Sequence, residues 1–321
     1  MNYYKSLLDP EHLDPGIAPR KWEQGCQIGL AGKLMTLGRC DQLLALVKLG
    51  VIDGLMAQKL QTALRLREGV FDRVSALSRD QLSQLGPRAL AERELLAWRP
   101  ELRQPDLEQL AVEVPVRRDW QRLRIHASDP AEVLRFYKVT DSYIWELMAA
   151  NSMIETLFNY AVTLDKLQSL GVKDVLDYGA GIGTFVIACA TRRIRARHMD
   201  LRSKTREFAE WRYIARGMKV PMIDASGDHS DIPASRAIVC LEVVEHVFEP
   251  LRLLDEFRRA IPVGGILVVS ESCRYTKNFV SHLPSNRWLG GRRFLRELGA
   301  RGFQEVLPEP AVHPRVFRKV K

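Results

Sequence analysis

Apolar positions recur at three- and four-residue intervals through LMTLGRCDQLLALVKLGVIDGLMAQKLQTALRLRE, residues 34–68, a spacing that predicts helical hairpins. A stretch holding Pro87, Pro100, Pro105 and Pro115 follows and reads as loop-rich. Ser128-Asp129-Pro130 then offers a cap and a first-turn proline for a helix through AEVLRFYKVTDSYIWELMAAN, and SMIETLFNYAVTLDKLQSLG continues helically to Gly171. Beyond Gly171 the period alternates. DVLDYG, IRARHMD, VPMID, AIVCLEV and GGILVVSES read as strands, TFVIACATRR, TREFAEWRYIARGM, PLRLLDEFRRAI and RRFLRELGARG as helices, and FQEVL and PRVFRKV as two closing strands. Strands alternating with helices of this length predict an α/β fold, a doubly wound and mostly parallel sheet, preceded by a mainly helical N-terminal domain. The expected divisions are residues 1–127 for the helical N-terminal domain, with a dimerisation or substrate-pocket role, 128–170 for a helical lid or linker, and 171–321 for the sheet domain. In such sheets ligands sit at the carboxyl ends of the strands.

Composition narrows the class without naming a chemistry. Hydrophobic residues at 46% and charged residues at 27% are ordinary for a globular chain of 321 residues. No apolar run approaches the ~18–20 residues of a membrane span, and MNYYKSLLDPEH lacks a basic-then-apolar leader pattern, so a cytoplasmic protein with no membrane partner is expected. Cys26, Cys40, Cys189, Cys240 and Cys273 are scattered with no C-x-x-C pair, which fits reduced thiols rather than a disulfide frame or a zinc knuckle. The net charge of +9 is unevenly spread: 21 Lys and Arg stand against 22 Asp and Glu through Asp165, and 27 against 17 from Lys166 onward. Such asymmetry fits an acidic partner, or simply an arginine-rich solvated surface.

The densest chemical signal is VLDYGAGIGTF, where an apolar run ends in an acid followed by three glycines. Glycines in such number after a strand mark a turn that something approaches closely. A dinucleotide loop of the G-x-G-x-x-G kind fails here, because Thr184 stands at the third position and Gly183 comes one residue early. The pattern is Asp177-x-Gly179-x-Gly181-x-Gly183. A carboxylate at Asp177 would repel a pyrophosphate and suits a ligand carrying a cation.

With RHMD downstream and IVCLEVVEHV after that, this segment resembles the class I S-adenosylmethionine-dependent methyltransferases, which have a Rossmann-like sheet. The resemblance covers roughly Lys166 to Lys321. It implies that S-adenosylmethionine is the cofactor, that Asp177 lies near its methionine end, and that Gly179, Gly181 and Gly183 pass beneath it. It further implies that Asp200 accepts the ribose hydroxyls and Asp224 the adenine amino group. Arg236-Ala237 departs from the Phe-Asp that many relatives carry before the fourth strand.

LEVVEHVFEP places Glu242, Glu245 and His246 where the fourth strand ends, at spacings that bring i, i+3 and i+4 together on a helical turn, and His282 follows the fifth strand. Two carboxylates and an imidazole can bind a divalent cation. The segment is similar, more narrowly, to the E-x-x-E-H methyltransferases, among them the ubiquinone-biosynthesis O-methyltransferases and small-RNA 2′-O-methyltransferases. That resemblance implies magnesium or a similar ion on Glu242, Glu245, His246 and His282. The alternative is that the same residues shape the pocket, with Glu245, His246 and His282 acting as acid or base. The resemblance also implies that the helices before the glycine strand cover the cofactor and part of the acceptor pocket, which makes Tyr137 and Tyr143 the candidates to face the acceptor; plain core is the alternative for aromatic residues at this spacing.

The expected activity is methyl transfer to a small-molecule acceptor, with oxygen as the acceptor atom. Methylation of RNA is the alternative, with RRIRAR (Arg192 to Arg197) and Arg292, Arg293 and Arg296 as phosphate contacts, but no aromatic residues interleave with these tracts and small-molecule methylation is preferred. A cofactor-binding subunit without turnover is the third reading. A homodimer through the N-terminal domain is consistent with either enzyme reading.

Overall fold

The computed structural model describes residues 54–75, 87–103, 114–227, 229–275, 279–306 and 314–321. The helical expectation over 34–53 and the loop expected at Pro105 lie outside these residues. Before the sheet come α1 (Gly54–Ser75), α2 (Pro87–Trp98), α3 (Val114–Arg122), α4 (Pro130–Val139), α5 (Ser142–Asn151) and α6 (Ile154–Ser169). Two of the prolines taken as loop markers start helices instead: Pro87 opens α2 and Pro115 sits in the first turn of α3. A first-turn position asks nothing of the missing N–H.

Asp129 caps α4 as expected, its Oδ1 accepting from the amides of Ala131 at 2.8 Å and Glu132 at 3.3 Å. The helix expected to run on through Asn151 breaks in two at Thr140. Its buried Oγ1 donates to Asp119 Oδ2 at 2.8 Å and accepts from the Ser142 amide at 3.1 Å, so local side-chain bonds replace the helical ladder there.

The sheet has seven strands in the order β3-β2-β1-β4-β5-β7-β6, with β1 (Asp174–Tyr178), β2 (Arg195–Asp200), β3 (Met222–Asp224), β4 (Ala237–Cys240), β5 (Ile266–Val269), β6 (Phe303–Glu305) and β7 (Arg315–Lys319). The first five are parallel, and β7 runs antiparallel between β5 and β6. Helices α7 (Thr184–Thr191), α8 (Lys204–Ala215), α9 (Pro250–Ala260) and α10 (Arg292–Ala300) connect them. The two-residue period of the strands assigns the core. Val175, Val239, Val268 and Val316 face one side, while Leu176, Ile238, Leu267 and Phe317 face the other. Helices α1 and α2 belong to the first side, since Leu66, Val70, Leu90 and Leu95 share one apolar cluster with Val175, Ile182 and Phe185. Among the described residues no helix is long and apolar enough to cross a membrane.

Chain order reverses between β1 and β4, which lie side by side although four elements of chain (α7, β2, α8 and β3) separate them. That junction is where a crevice opens at the carboxyl ends of the strands. The glycine loop leaves β1 there, and the Glu-His segment leaves β4.

Candidate active site

Gly179, Gly181 and Gly183 all adopt left-handed backbone, with φ of 69°, 55° and 73°. A side chain at Gly179 would run into Val243, and one at Gly183 into the Tyr213 hydroxyl. One at Gly181 would come within 3.1 Å of Leu147 Cδ1. The spacing is therefore demanded by the chain's own packing as well as by anything bound above it. Asp200 holds the loop from below: Oδ2 accepts from the Gly181 amide at 2.6 Å and Oδ1 from the Leu201 amide at 2.6 Å.

The three acids of this side differ sharply. Asp177 is buried, and burial, with the Asp200 charge beside it, pushes its carboxyl well above the usual range. Asp200 is raised by burial to about 6 in spite of its two amide donors. Asp224 lies opposite Asp200 in the β2–β3 register but is already paired, by Arg202 Nε at 2.6 Å and by Arg206, whose hydrogen bonds hold it down at about 2. The acid expected to meet an adenine amino group thus carries two arginine partners of its own.

On the other side, Val244–His246 form a single 3-10 turn and α9 begins only at Pro250, so the helical spacing expected of the Glu-His segment is replaced by a tighter one. Glu242 precedes the turn with φ of 53°, is exposed, and accepts from the Ser272 hydroxyl. Glu245, His246 and His282 converge, with one ligand atom of each lying within 4.8 Å of the others. Glu242 is not one of that group. Asn286 clamps the turn by donating to the carbonyls of Val247 at 2.7 Å and of Val244 and Glu245 at 3.3 Å.

The hydrogen bonds of His246 fix its tautomer. Nδ1 lies 3.0 Å from the Ser281 carbonyl, which can only accept, so Nδ1 carries the proton. The Tyr137 hydroxyl stands 3.0 Å from the same nitrogen, and the Tyr143 hydroxyl 3.5 Å from that of Tyr137. Nε2 is left with its lone pair, and burial lowers the pKa of His246, which keeps the ring neutral. His282 packs edge-on to His246 with centroids 4.8 Å apart and stacks on Phe279 at 4.6 Å. Burial and the neighbouring His246 push it down to about 2. Glu245 is driven the other way, well above the usual carboxylate range, by burial and then by Glu242. Both Glu245 carboxylate oxygens and His282 Nδ1 are buried without a hydrogen-bond partner among the described residues.

The structure thus brings Tyr137 and Tyr143 to the same rim as Glu245, His246 and His282. Ser281, Asn286 and the serines after β5, of which Ser270 Oγ accepts from the Glu242 amide at 3.1 Å, were not singled out in the sequence. SES at the carboxyl end of GGILVVSES was the available signal, since that end of a strand faces the crevice.

Residues 153–306 match a family described as a methyltransferase domain. A ubiquinone biosynthesis O-methyltransferase of Vibrio atlanticus is 26% identical over 162 residues, 48% of this chain and 66% of that protein. Its counterpart from Haemophilus ducreyi is 26% identical over 167 residues, 49% of this chain and 70% of that one. The chain therefore spans about two thirds of the length of these relatives. Among solved structures, an S-adenosyl-L-methionine-dependent methyltransferase described as putative from Methanococcus maripaludis aligns at a TM-score of 0.40 and 15% identity, over 51% of this chain and 86% of that one. The glycine loop and the Glu-His turn, at adjoining strand ends of a doubly wound sheet, thus lie within residues 153–306, the segment that matches the methyltransferase domain family.

Proposed function

We propose that the chain transfers a methyl group from S-adenosylmethionine to a hydroxyl of a small molecule. The observation that carries this reading is the meeting of the glycine loop with a neutral histidine whose Nε2 lone pair is free to take a proton, at two neighbouring strand ends. The loop side fits the cofactor: Asp177, buried, and Asp200, half-buried, are neighbouring carboxyl groups that a cationic ligand would stabilise in their ionised form. S-adenosylmethionine, when bound, supplies the methyl group on a sulfonium that is already a good leaving group. What the protein adds is position and a deprotonated acceptor.

His246 is the residue to take the acceptor proton at Nε2, with the Ser281 carbonyl and the Tyr137 hydroxyl holding the ring in place through Nδ1. Tyr137, Tyr143 and Phe279 give that rim flat apolar surfaces, which favours an aromatic or similarly planar acceptor. The two relatives reported above are ubiquinone biosynthesis O-methyltransferases by name, in keeping with oxygen as the acceptor atom.

The donor set also fits a divalent cation, since a carboxylate and two imidazoles approach one another while three of their polar atoms lack partners among the described residues. Magnesium or a similar ion would be held by Glu245, His246 and His282, and would supply a Lewis acid that lowers the acceptor's pKa. In that case His246 Nε2 serves as ligand rather than base.

Against a nucleic-acid acceptor stands the placement of the basic tract Arg192 to Arg197. It lies at the amino end of β2, away from the crevice, and is partly neutralised, with Arg192 paired to Asp165 at 3.2 Å and Arg197 to Asp174 at 3.5 Å. The test is transfer of a labelled methyl group to a panel of small phenols and to an RNA oligomer, with and without exhaustive chelation. Label in the phenols supports the reading, label confined to RNA contradicts it, and full turnover after chelation removes the metal.

A further inference from the structure

The glycine loop is fastened at a second point, and the fastening begins outside the matched domain. Arg212 of α8 is fully buried, and its Nη1 donates to the Ile182 carbonyl at 2.7 Å and to Thr184 Oγ1 at 2.8 Å. Ile182 is in the glycine loop and Thr184 opens α7. The other edge of the same guanidinium grips Glu94 of α2, from Nε at 2.9 Å and Nη2 at 3.1 Å. Arg216, one turn on, donates to Glu94 Oε1 at 2.6 Å and to the Val70 carbonyl of α1 at 2.7 Å, and its Nη1 donates to the Arg212 carbonyl at 3.0 Å. Tyr213, between the two arginines, places its hydroxyl against Gly183 and bonds His198 at 2.9 Å.

A buried ion pair is a poor device for stability, because desolvation consumes most of the Coulombic gain. What it supplies is direction. The guanidinium is planar, and with one edge fixed bidentately on Glu94 its remaining donors can point only one way. Without Glu94, Arg212 and Arg216 would place two positive charges in one apolar core, and Arg212 would have reason to move toward solvent or toward Asp177.

Resting on the methyltransferase reading above, we propose that Glu94, from the helical half of the chain, is a positioning residue for the cofactor loop, acting through Arg212 on Ile182 and Thr184. The consequence is that the matched domain alone does not present a finished cofactor site. Its loop takes its shape from α2.

Hydrogen exchange at the loop amides of Gly181 and Gly183, measured in the full chain beside calorimetric binding of S-adenosylhomocysteine, tests this. In Glu94→Gln the loop amides should exchange about tenfold faster and affinity should fall about tenfold, while the amides of β5 and β7 stay within about twofold of wild type. Thr184→Val, which removes one acceptor of Arg212 and no charge, should show the same pattern at about threefold. A purely structural role would speed loop and sheet amides together, and that result, or unchanged loop exchange, overturns the proposal. Should Glu94→Gln not fold, Thr184→Val decides, with wild-type loop exchange as the contradicting outcome. Wild-type protein that binds no S-adenosylhomocysteine would defeat the methyltransferase reading, while the exchange comparison would still decide the coupling.

Discussion

The two sides of the crevice are built to different degrees of completion. After β1, the glycine loop is spoken for from every direction: Asp200 takes the Gly181 amide, Arg212 the Ile182 carbonyl, and Val243 and Tyr213 close against Gly179 and Gly183. After β4 and β5, buried polar atoms of Glu245 and His282 have no partner among the described residues. Unpaired groups of that kind cost on the order of 1–3 kcal/mol each. On the first side the fold itself sets the shape of the loop, while the second side carries buried polar atoms that the described residues do not pair.

The contrast is broken most forcefully at the acceptor side. His246→Ala should lower turnover by about 10²–10⁴, the range for a positioned acid or base, while binding of the cofactor is retained. Steady-state rates beside calorimetry check it, and a joint loss of both would erase the distinction between the two rims.

Proton linkage sharpens the cofactor side. Asp177 and Asp200 are raised in the free protein, and a cationic ligand favours their ionised forms, so binding should release protons. Affinity should then rise with pH through the Asp200 value of about 6 and fall below it, by up to about tenfold per pH unit for each group. Calorimetry in buffers of different ionisation enthalpy reads the proton count. An affinity flat from mildly acidic to neutral pH would remove the two carboxyl groups from the binding account.

The smallest effect lies outside the crevice and serves as its control. Asp129→Ala removes the cap of α4, the helix that carries Tyr137, and should cost about 0.5–2 kcal/mol of stability with cofactor affinity unchanged. Thermal unfolding measures the first and calorimetry the second.

Much of this was legible in the sequence because it rests on local signals. Alternating periods identified all seven strands, and Asp-x-Gly-x-Gly-x-Gly marked the loop whose glycines prove to need left-handed backbone. Convergence of Glu245, His246 and His282 was legible for a topological reason, that neighbouring parallel strands release their chains at one rim. Other features depend on partners far away in the chain. Thr140 breaks a helix because Asp119 is there to receive its hydroxyl, Asp224 is engaged because Arg202 and Arg206 reach it, and Glu94 reads as an ordinary helix-surface acid until Arg212 is seen against it. Glu242 shows the same limit at short range, since a 3-10 turn in place of a helix leaves it exposed beside Ser272 rather than among the converging three.

The division between a finished cofactor side and an open acceptor side is tested most directly by one calorimetric series with S-adenosylhomocysteine on wild type, Gly181→Val and His246→Ala. Gly181 holds φ of 55° with Leu147 near its missing side chain, so the valine should cost about 100-fold or more in affinity in a folded protein, from backbone strain and lost approach together. His246→Ala should bind as wild type does. Unchanged affinity in Gly181→Val, or a comparable loss in His246→Ala, would contradict the account.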